Sequence, residues 1–435
     1  MKQKKNRDFS SLFSEKFVAG ALAVVVLLVT ALVVVALRTD RASPTGNIRE
    51  ENLSIAPEST AAPTEPPTTA EPSTEPPTQQ PTEPVDLDRE AAQKLLATMT
   101  TEEKLCQMLF VTPETLTGSG YVDIAGDLTQ QALAAYPVGG LIYFSQNLQS
   151  EEQIVSLISN SQSFSKYPLF IGVDEEGGSV SRLSGVGVTT ALSPMAEFGA
   201  AGDTAAVREV GENLAEELRA VGFNVDFAPV ADVITNPNNT EIGNRSFSAN
   251  AQVAADMVAA MTNGLQSGGI IACVKHFPGH GSTEADSHYG QSVSLRTAEE
   301  LRETEFLPFR AGVDAEVGMV MISHMSLPEV TGDYTPCDLS YRVVTELLRG
   351  ELAYDGVVIT DSHQMASILN YYTVGEAAIK AIQAGCDIVL MPNSLTEALS
   401  ALQQAVEDGT LSQARIDESV LRILTLKARF GLLPE

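Results

Sequence analysis

Lys275-His276-Phe277-Pro278-Gly279-His280-Gly281 is followed closely by Asp286-Ser287-His288, and three of the chain's five histidines fall within this stretch. An apolar run over 270–274 precedes it, with the length and composition of a buried strand. A strand therefore ends here, Lys275 and His276 stand at its tip, and a loop punctuated by Gly and Pro follows. Asp286 and His288 are two residues apart, so in an extended loop their side chains point the same way. The carboxylate then accepts the imidazole N–H, fixes its tautomer and raises its basicity, which makes a general acid/base that works near neutral pH. His276, His280, Asp286 and His288 also carry zinc or iron donor chemistry. Their spacing follows no ligand signature, and neither a metal nor another cofactor is expected.

The elements that must position these groups are eight short apolar runs alternating with helical patterns from Asp86 onward. The expected strands cover 107–111, 139–144, 169–173, 225–229, 270–274, 317–322, 356–360 and 387–391. Amphipathic stretches over 152–162, 204–221, 251–267, 298–313 and 339–352 fall between them. Eight such alternations predict an α/β fold, a (β/α)8 TIM-like barrel covering residues 86–435. Catalytic groups of a barrel come from the C-terminal strand ends. Read in order, those ends carry Asp174, Asp232, Lys275 with His276, His324 and Asp361, a polar mouth suited to a ligand rich in hydroxyls. Asp361 directly follows the hydrophobic run 356–360, where a nucleophile is rigidly held with one open face. By position alone it is equally a helix N-cap.

The run K-H-F-P-G-H-G with the later D-S-H resembles the glycoside hydrolase family 3 enzymes of the β-N-acetylglucosaminidase (NagZ) type. Further matches extend the resemblance from about residue 86 to the C-terminus. Asp174-Glu175-Glu176-Gly177-Gly178-Ser179-Val180-Ser181-Arg182 resembles the family's D-x-E-G-G-x-V-x-R segment, and Asn244-Arg245-Ser246-Phe247 its R-S-F loop. The resemblance implies a barrel-like domain in which Asp361 is the nucleophile and His288, paired with Asp286, the acid/base. It further implies that Asp174, Arg182, Arg245, Lys275 and His276 hold sugar hydroxyls. Ser362 and His363, just after the nucleophile, depart from the family pattern. Glu175 and Glu176 are read as solvated loop charge, and Asp232 and His324 as either substrate contacts or packing. The implied reaction is retaining hydrolysis of a terminal β-linked N-acetylglucosamine. Its rivals are a family 3 β-glucosidase, a phosphorylase, and a tethered glycan-binding protein without turnover.

Residues 1–16 are basic, and an uncharged run from Phe17 to Leu37 follows. As a helix at about 1.5 Å per residue that run spans roughly 32 Å, enough to cross a hydrocarbon core. Positive charge ahead of it places the N-terminus in the cytoplasm and the remainder outside. The run exceeds a signal peptide's apolar core, so an uncleaved signal anchor in the cell membrane is expected. Residues 38–85 repeat Pro, Thr and Glu and have almost no large apolar side chain, which predicts a disordered, extended linker. The net charge of -29 lies mostly beyond residue 85 and argues against nucleic acid as a partner. A neutral glycan ending in β-N-acetylglucosamine is the expected partner, and a monomer the expected state. The four cysteines are scattered without a readable disulfide pattern, with Cys273 and Cys386 in buried, strand-like runs.

Overall fold

A computed structural model of the chain describes residues 86–283 and 290–433. All eight expected strands are present: β1 Leu109–Val111, β2 Gly140–Ile142, β3 Phe170–Val173, β4 Val225–Asp226, β5 Ile271–Phe277, β6 Met319–Ile322, β7 Val357–Thr360 and β8 Val389–Leu390. Every pairing is parallel, in the order β7-β6-β5-β4-β3-β2-β1-β8. The two outer strands then meet through an Ile359–Ile388 bridge, with Thr360 N–H donating to the Ile388 carbonyl at 3.1 Å. The sheet is thus a near-closed barrel with helices around it, as the alternation predicts.

The barrel interior is filled by aromatic rings rather than left as a channel. Phe110 stacks on Phe170 at 6.4 Å between centroids and meets Phe227 edge-on at 5.5 Å. Gly140 and Gly172 supply the space for these rings. A Cβ at Gly172 would lie 2.8 Å from the Phe227 ring and 2.9 Å from that of Phe110. At the N-terminal end of the barrel, the buried Lys427 ammonium donates to Gln107 Oε1 at 2.7 Å and to the Gly139 carbonyl at 3.1 Å. It also lies 4.8 Å above the Phe170 ring, and burial pushes its pKa down to about 7. Outside, helix Ala251–Ser267 buries Ala254, Val258, Met261 and Leu265, the three- and four-residue spacing of one helical face.

Three local expectations change. Gln107 closes helix Thr101–Gln107, which a Thr100/Glu103 capping box opens, so β1 starts two residues later than the apolar run suggests. The stretch 298–313 is two helices, Ala298–Glu303 and Phe306–Asp314. Pro308 is tolerated in the first turn of the second helix. In one continuous helix it would lack an N–H and clash with the carbonyl of residue 304. The region 339–352 holds a 3-10 turn, Cys337–Leu339, and then a π-helix, Arg342–Glu351. All four cysteines are buried free thiols. Among the described residues no helix is long and apolar enough to cross a membrane. The expected anchor at 17–37 and linker at 38–85 lie outside the described residues.

Overpacking this core is the direct test of its geometry. Gly172→Ala is expected to lower unfolding free energy by about 1–3 kcal/mol in urea melts. Unchanged stability would show that the rings have room to shift.

Candidate active site

The C-terminal mouth of the barrel opens into a cavity of about 400 Å³. Six of the eight site residues expected from the sequence line it: Asp174, Arg182, Arg245, Lys275, His276 and Asp361. The other two, Asp286 and His288, lie outside the described residues. Phe144, Met321 and Met365 add apolar wall. Lys275 and His276 sit within β5 rather than beyond its tip, since Phe277 still pairs with Ile322. Consecutive strand residues ordinarily face opposite ways. Both reach the cavity here, where the register with β6 slips between Val274 and Phe277 and the Lys275–His276 peptide is cis.

The cationic side chains are held by carboxylates at close range. Lys275 Nζ lies 2.8 Å from Asp174 Oδ1 and 2.5 Å from Glu176 Oε1. Arg245 grips Glu176 with both branches of its fork, at 2.7 and 2.8 Å. Arg182 approaches Asp174 at 3.7 Å and stacks over Phe144. Burial alone would raise the Glu176 carboxyl, but Lys275 and Arg245 more than offset it and hold it well below the usual range. Burial disfavours the Lys275 ammonium in turn, yet Asp174 and Glu176 leave it raised. Four carboxylates, Asp174, Glu176, Glu241 and Asp361, thus line the cavity together with three permanent cations, Lys275, Arg182 and Arg245.

Glu175 and Glu176 correct the reading of solvated loop charge, because both are buried. Glu175 accepts from Arg182 N–H at 2.6 Å, Leu183 N–H at 3.0 Å and Thr189 Oγ1 at 2.7 Å, and so ties the loop that carries Arg182. Asp232 and His324 do not line the cavity. Asp232 accepts from His280 N–H at 2.6 Å and holds His276 Nδ1 at 2.8 Å. A carboxylate only accepts, so Nδ1 carries a proton and Nε2 is the nitrogen free to meet a ligand. His276 and His280 therefore each spend a ring nitrogen, the latter on Thr283 Oγ1 at 3.0 Å.

Asp361 sits one residue past β7, with Ser362 N–H donating to its Oδ1 at 2.7 Å. Burial would raise its pKa; His276, His324, the Ser362 N–H and Lys275 outweigh that and keep the carboxyl below its ordinary value. An ionised carboxylate at a strand end, facing a cavity lined by paired charges, is equipped to attack an electrophilic carbon. Among the described residues the one group of three with metal-donor atoms in mutual reach is His324, Asp338 and His363, behind the cavity. In it His363 Nε2 donates to Asp338 Oδ2 at 2.9 Å, and His324 Nδ1 faces Asp338 Oδ1 at an ion-pair distance of 3.0 Å.

Residues 100–426 match the glycosyl hydrolase family 3 N-terminal domain. The chain belongs to glycoside hydrolase family 3. It is 34% identical over 327 residues to beta-hexosaminidase A of Pseudoalteromonas piscicida, covering 69% of this chain and 54% of that one. It is 38% identical to a beta-hexosaminidase of Bordetella avium (strain 197N), covering 67% and 86%. A family 3 beta-N-acetylglucosaminidase from Paenibacillus sp. str. FPU-7 superposes with a TM-score of 0.73 at 38% identity, covering 77% of this chain and 63% of the other. This family 3 chain therefore spans about half the length of the Pseudoalteromonas relative and most of the Bordetella one.

The buried carboxylate at 176 can be tested apart from the chemistry. Glu176→Gln leaves Lys275 and Arg245 facing each other, and should cost about 3 kcal/mol of stability. It should also raise KM for an aryl β-N-acetylglucosaminide about tenfold or more, read by steady-state kinetics. A variant with wild-type KM would remove Glu176 from the binding machinery.

Proposed function

We propose that this family 3 enzyme is a retaining exo-β-N-acetylglucosaminidase acting on glycans that end in β-linked N-acetylhexosamine. Asp361 attacks the anomeric carbon through an oxocarbenium-like state and forms a covalent glycosyl-enzyme. His288, oriented by Asp286, protonates the leaving oxygen and then takes the proton from the water that releases the sugar. Asp174 offers acceptors to sugar hydroxyls, Lys275, Arg182 and Arg245 offer donors, and His276 presents its second ring nitrogen. The observation that carries this reading is Asp361: a carboxylate kept ionised at the end of β7, in the same cavity as the five expected sugar-binding side chains. The names of the hexosaminidase relatives support the sugar, and the absence of an excess of cations in a cavity with four carboxylates and three permanent cations suits one without negative charge.

Asp361→Ala should abolish turnover of 4-nitrophenyl β-N-acetylglucosaminide, lowering kcat by a factor of at least about 10⁴, while the thermal melt stays intact. Near-normal activity would refute the nucleophile. Assaying the glucoside and xyloside alongside separates the β-glucosidase reading, which predicts the glucoside as the better substrate. Release of a sugar phosphate in phosphate buffer would replace hydrolysis by phosphorolysis.

We further propose that residues 17–37 anchor the enzyme in the cell membrane with the barrel outside, where cell-wall glycan is the available substrate. The uncharged run and the basic residues ahead of it support this. Protease added to intact cells should remove the activity from the membrane fraction; protection of the barrel would place it inside instead.

A further inference from the structure

Behind the cavity, against Ser362, lies a cluster that the reaction as described does not use. His324 follows β6, Asp338 belongs to the 3-10 turn Cys337–Leu339, and His363 follows β7. The side chains of His324 and Asp338 are completely buried, and that of His363 almost so. Nothing in the stretch Thr335-Pro336-Cys337-Asp338-Leu339 suggests chemistry, and His363 departs from the family pattern, so this pairing comes from the fold alone.

The partners of each nitrogen determine where the protons are. His324 Nε2 lies 2.8 Å from the Ser362 carbonyl, which only accepts, so Nε2 carries a proton. His324 Nδ1 faces Asp338 Oδ1 at an ion-pair distance of 3.0 Å, without the alignment of a hydrogen bond. His363 Nε2 lies 2.9 Å from Asp338 Oδ2 and donates to it. A carboxylate oxygen against Nδ1 and a carbonyl at Nε2 both favour the imidazolium form of His324, with Asp338 as its counter-ion.

The cluster reaches the nucleophile in one step. The Ser362 carbonyl accepts from His324, and the N–H of the same residue donates to Asp361 Oδ1 at 2.7 Å. We propose that Asp338 is a positioning residue: it keeps His324 charged, and that buried cation fixes both the orientation of Ser362 and the ionised state of Asp361. The proposal rests on the reading of Asp361 as nucleophile. It assigns His324 a second ionisation on the alkaline side of catalysis, above that of the acid proposed at His288, since loss of its proton removes a positive charge beside Asp361 and its ion pair with Asp338.

The titratable groups facing the His324 ring are Asp338 from the turn, and Asp361 and His363 from the segment after β7. Burial opposes the imidazolium, but Asp338 and Asp361 outweigh it and raise His324 to about 9. Burial also opposes the Asp338 carboxylate, yet His324 and His363 bring it down to about 2. Burial lowers His363, which therefore stays neutral. The Cys337 and Cys386 thiols around Asp338 are pushed well above their ordinary range and add no charge.

Asp338→Asn keeps the shape and removes the counter-ion. In the wild type the alkaline limb of the kcat/KM profile, read with an aryl β-N-acetylglucosaminide, should steepen near pH 9, and in Asp338→Asn that steepening should move down by about two pH units toward the free imidazole value. At pH 8 kcat should drop about tenfold or more with KM changed less than about threefold. Full-length wild-type protein labelled with ¹⁵N-histidine gives a second test that needs no variant. At pH 8 one histidine should show both ring nitrogens protonated, and that signal should vanish in His324→Gln. An unshifted alkaline limb in Asp338→Asn, or a neutral His324 at pH 8, overturns the proposal. So does stoichiometric zinc held by these three side chains, because an ion between His324 and Asp338 would displace the shared proton. An active Asp361→Ala would instead overturn the nucleophile, so the two failures are distinguishable.

Discussion

Charge taken out of water has to be paired, and the whole mouth of this barrel is arranged by that constraint. Glu176 is the shared point. Its two oxygens hold Arg245 through a bidentate fork and Lys275 through a single close contact, and Lys275 passes the link on to Asp174. Four side chains from three separate segments are thereby fixed relative to one another before any sugar arrives. Remove the carboxylate and two buried cations face each other with nothing between them. An enzyme whose binding groups are already paired meets its ligand without having to order long side chains, which is the larger part of what preorganisation contributes to affinity.

The same rule explains what could and could not be read along the chain. Asp174, Lys275, His276 and Asp361 were legible because each stands where an apolar run stops, and runs of that kind are a local pattern. The eight-strand barrel was legible for the same reason. Glu176 was not. Its partner Arg245 is 69 residues away, and nothing in the neighbourhood of a Glu-Glu-Gly-Gly turn tells burial from solvation. Asp232 and His324 were left between substrate contact and packing, and each proves to stand one layer back, turning a neighbour that does face the cavity. Asp338 carried no signal at all, since its role depends on two histidines contributed by other strands. Boundaries erred where backbone chemistry overrode the apolar pattern, as at Pro308, or where a capping box claimed residues from the strand, as at Gln107.

Two carboxylates illustrate how burial is resolved differently by different surroundings. Asp226, inside the barrel, accepts the Glu175 N–H through Oδ1 and leaves Oδ2 without a partner, and burial pushes its pKa well up. Asp361 is half-buried at the cavity and faces Lys275, His276 and His324, and its pKa moves the other way. A protonated acid makes a poor nucleophile. The difference between an inert core carboxyl and a reactive one therefore lies in the positive charge and N–H groups within reach as well as in the depth at which it sits.

That conclusion bears on why an imidazole suits the acid/base role proposed for His288. The usual glycosidase pair uses two carboxyls, one of which must keep its proton near neutral pH while the other stays ionised. In this cavity four carboxylates already outnumber three permanent cations. A further carboxyl, on losing its proton to the leaving group, would end as another negative charge beside Asp361 and the developing glycosyl-enzyme. A histidine that gives up its proton goes from cation to neutral instead, and ends with no negative charge. Its ordinary pKa already falls in the working range, so no hydrophobic pocket is needed to hold the proton on. The charge pairing that assembles the binding groups thus also favours a nitrogen acid over an oxygen one.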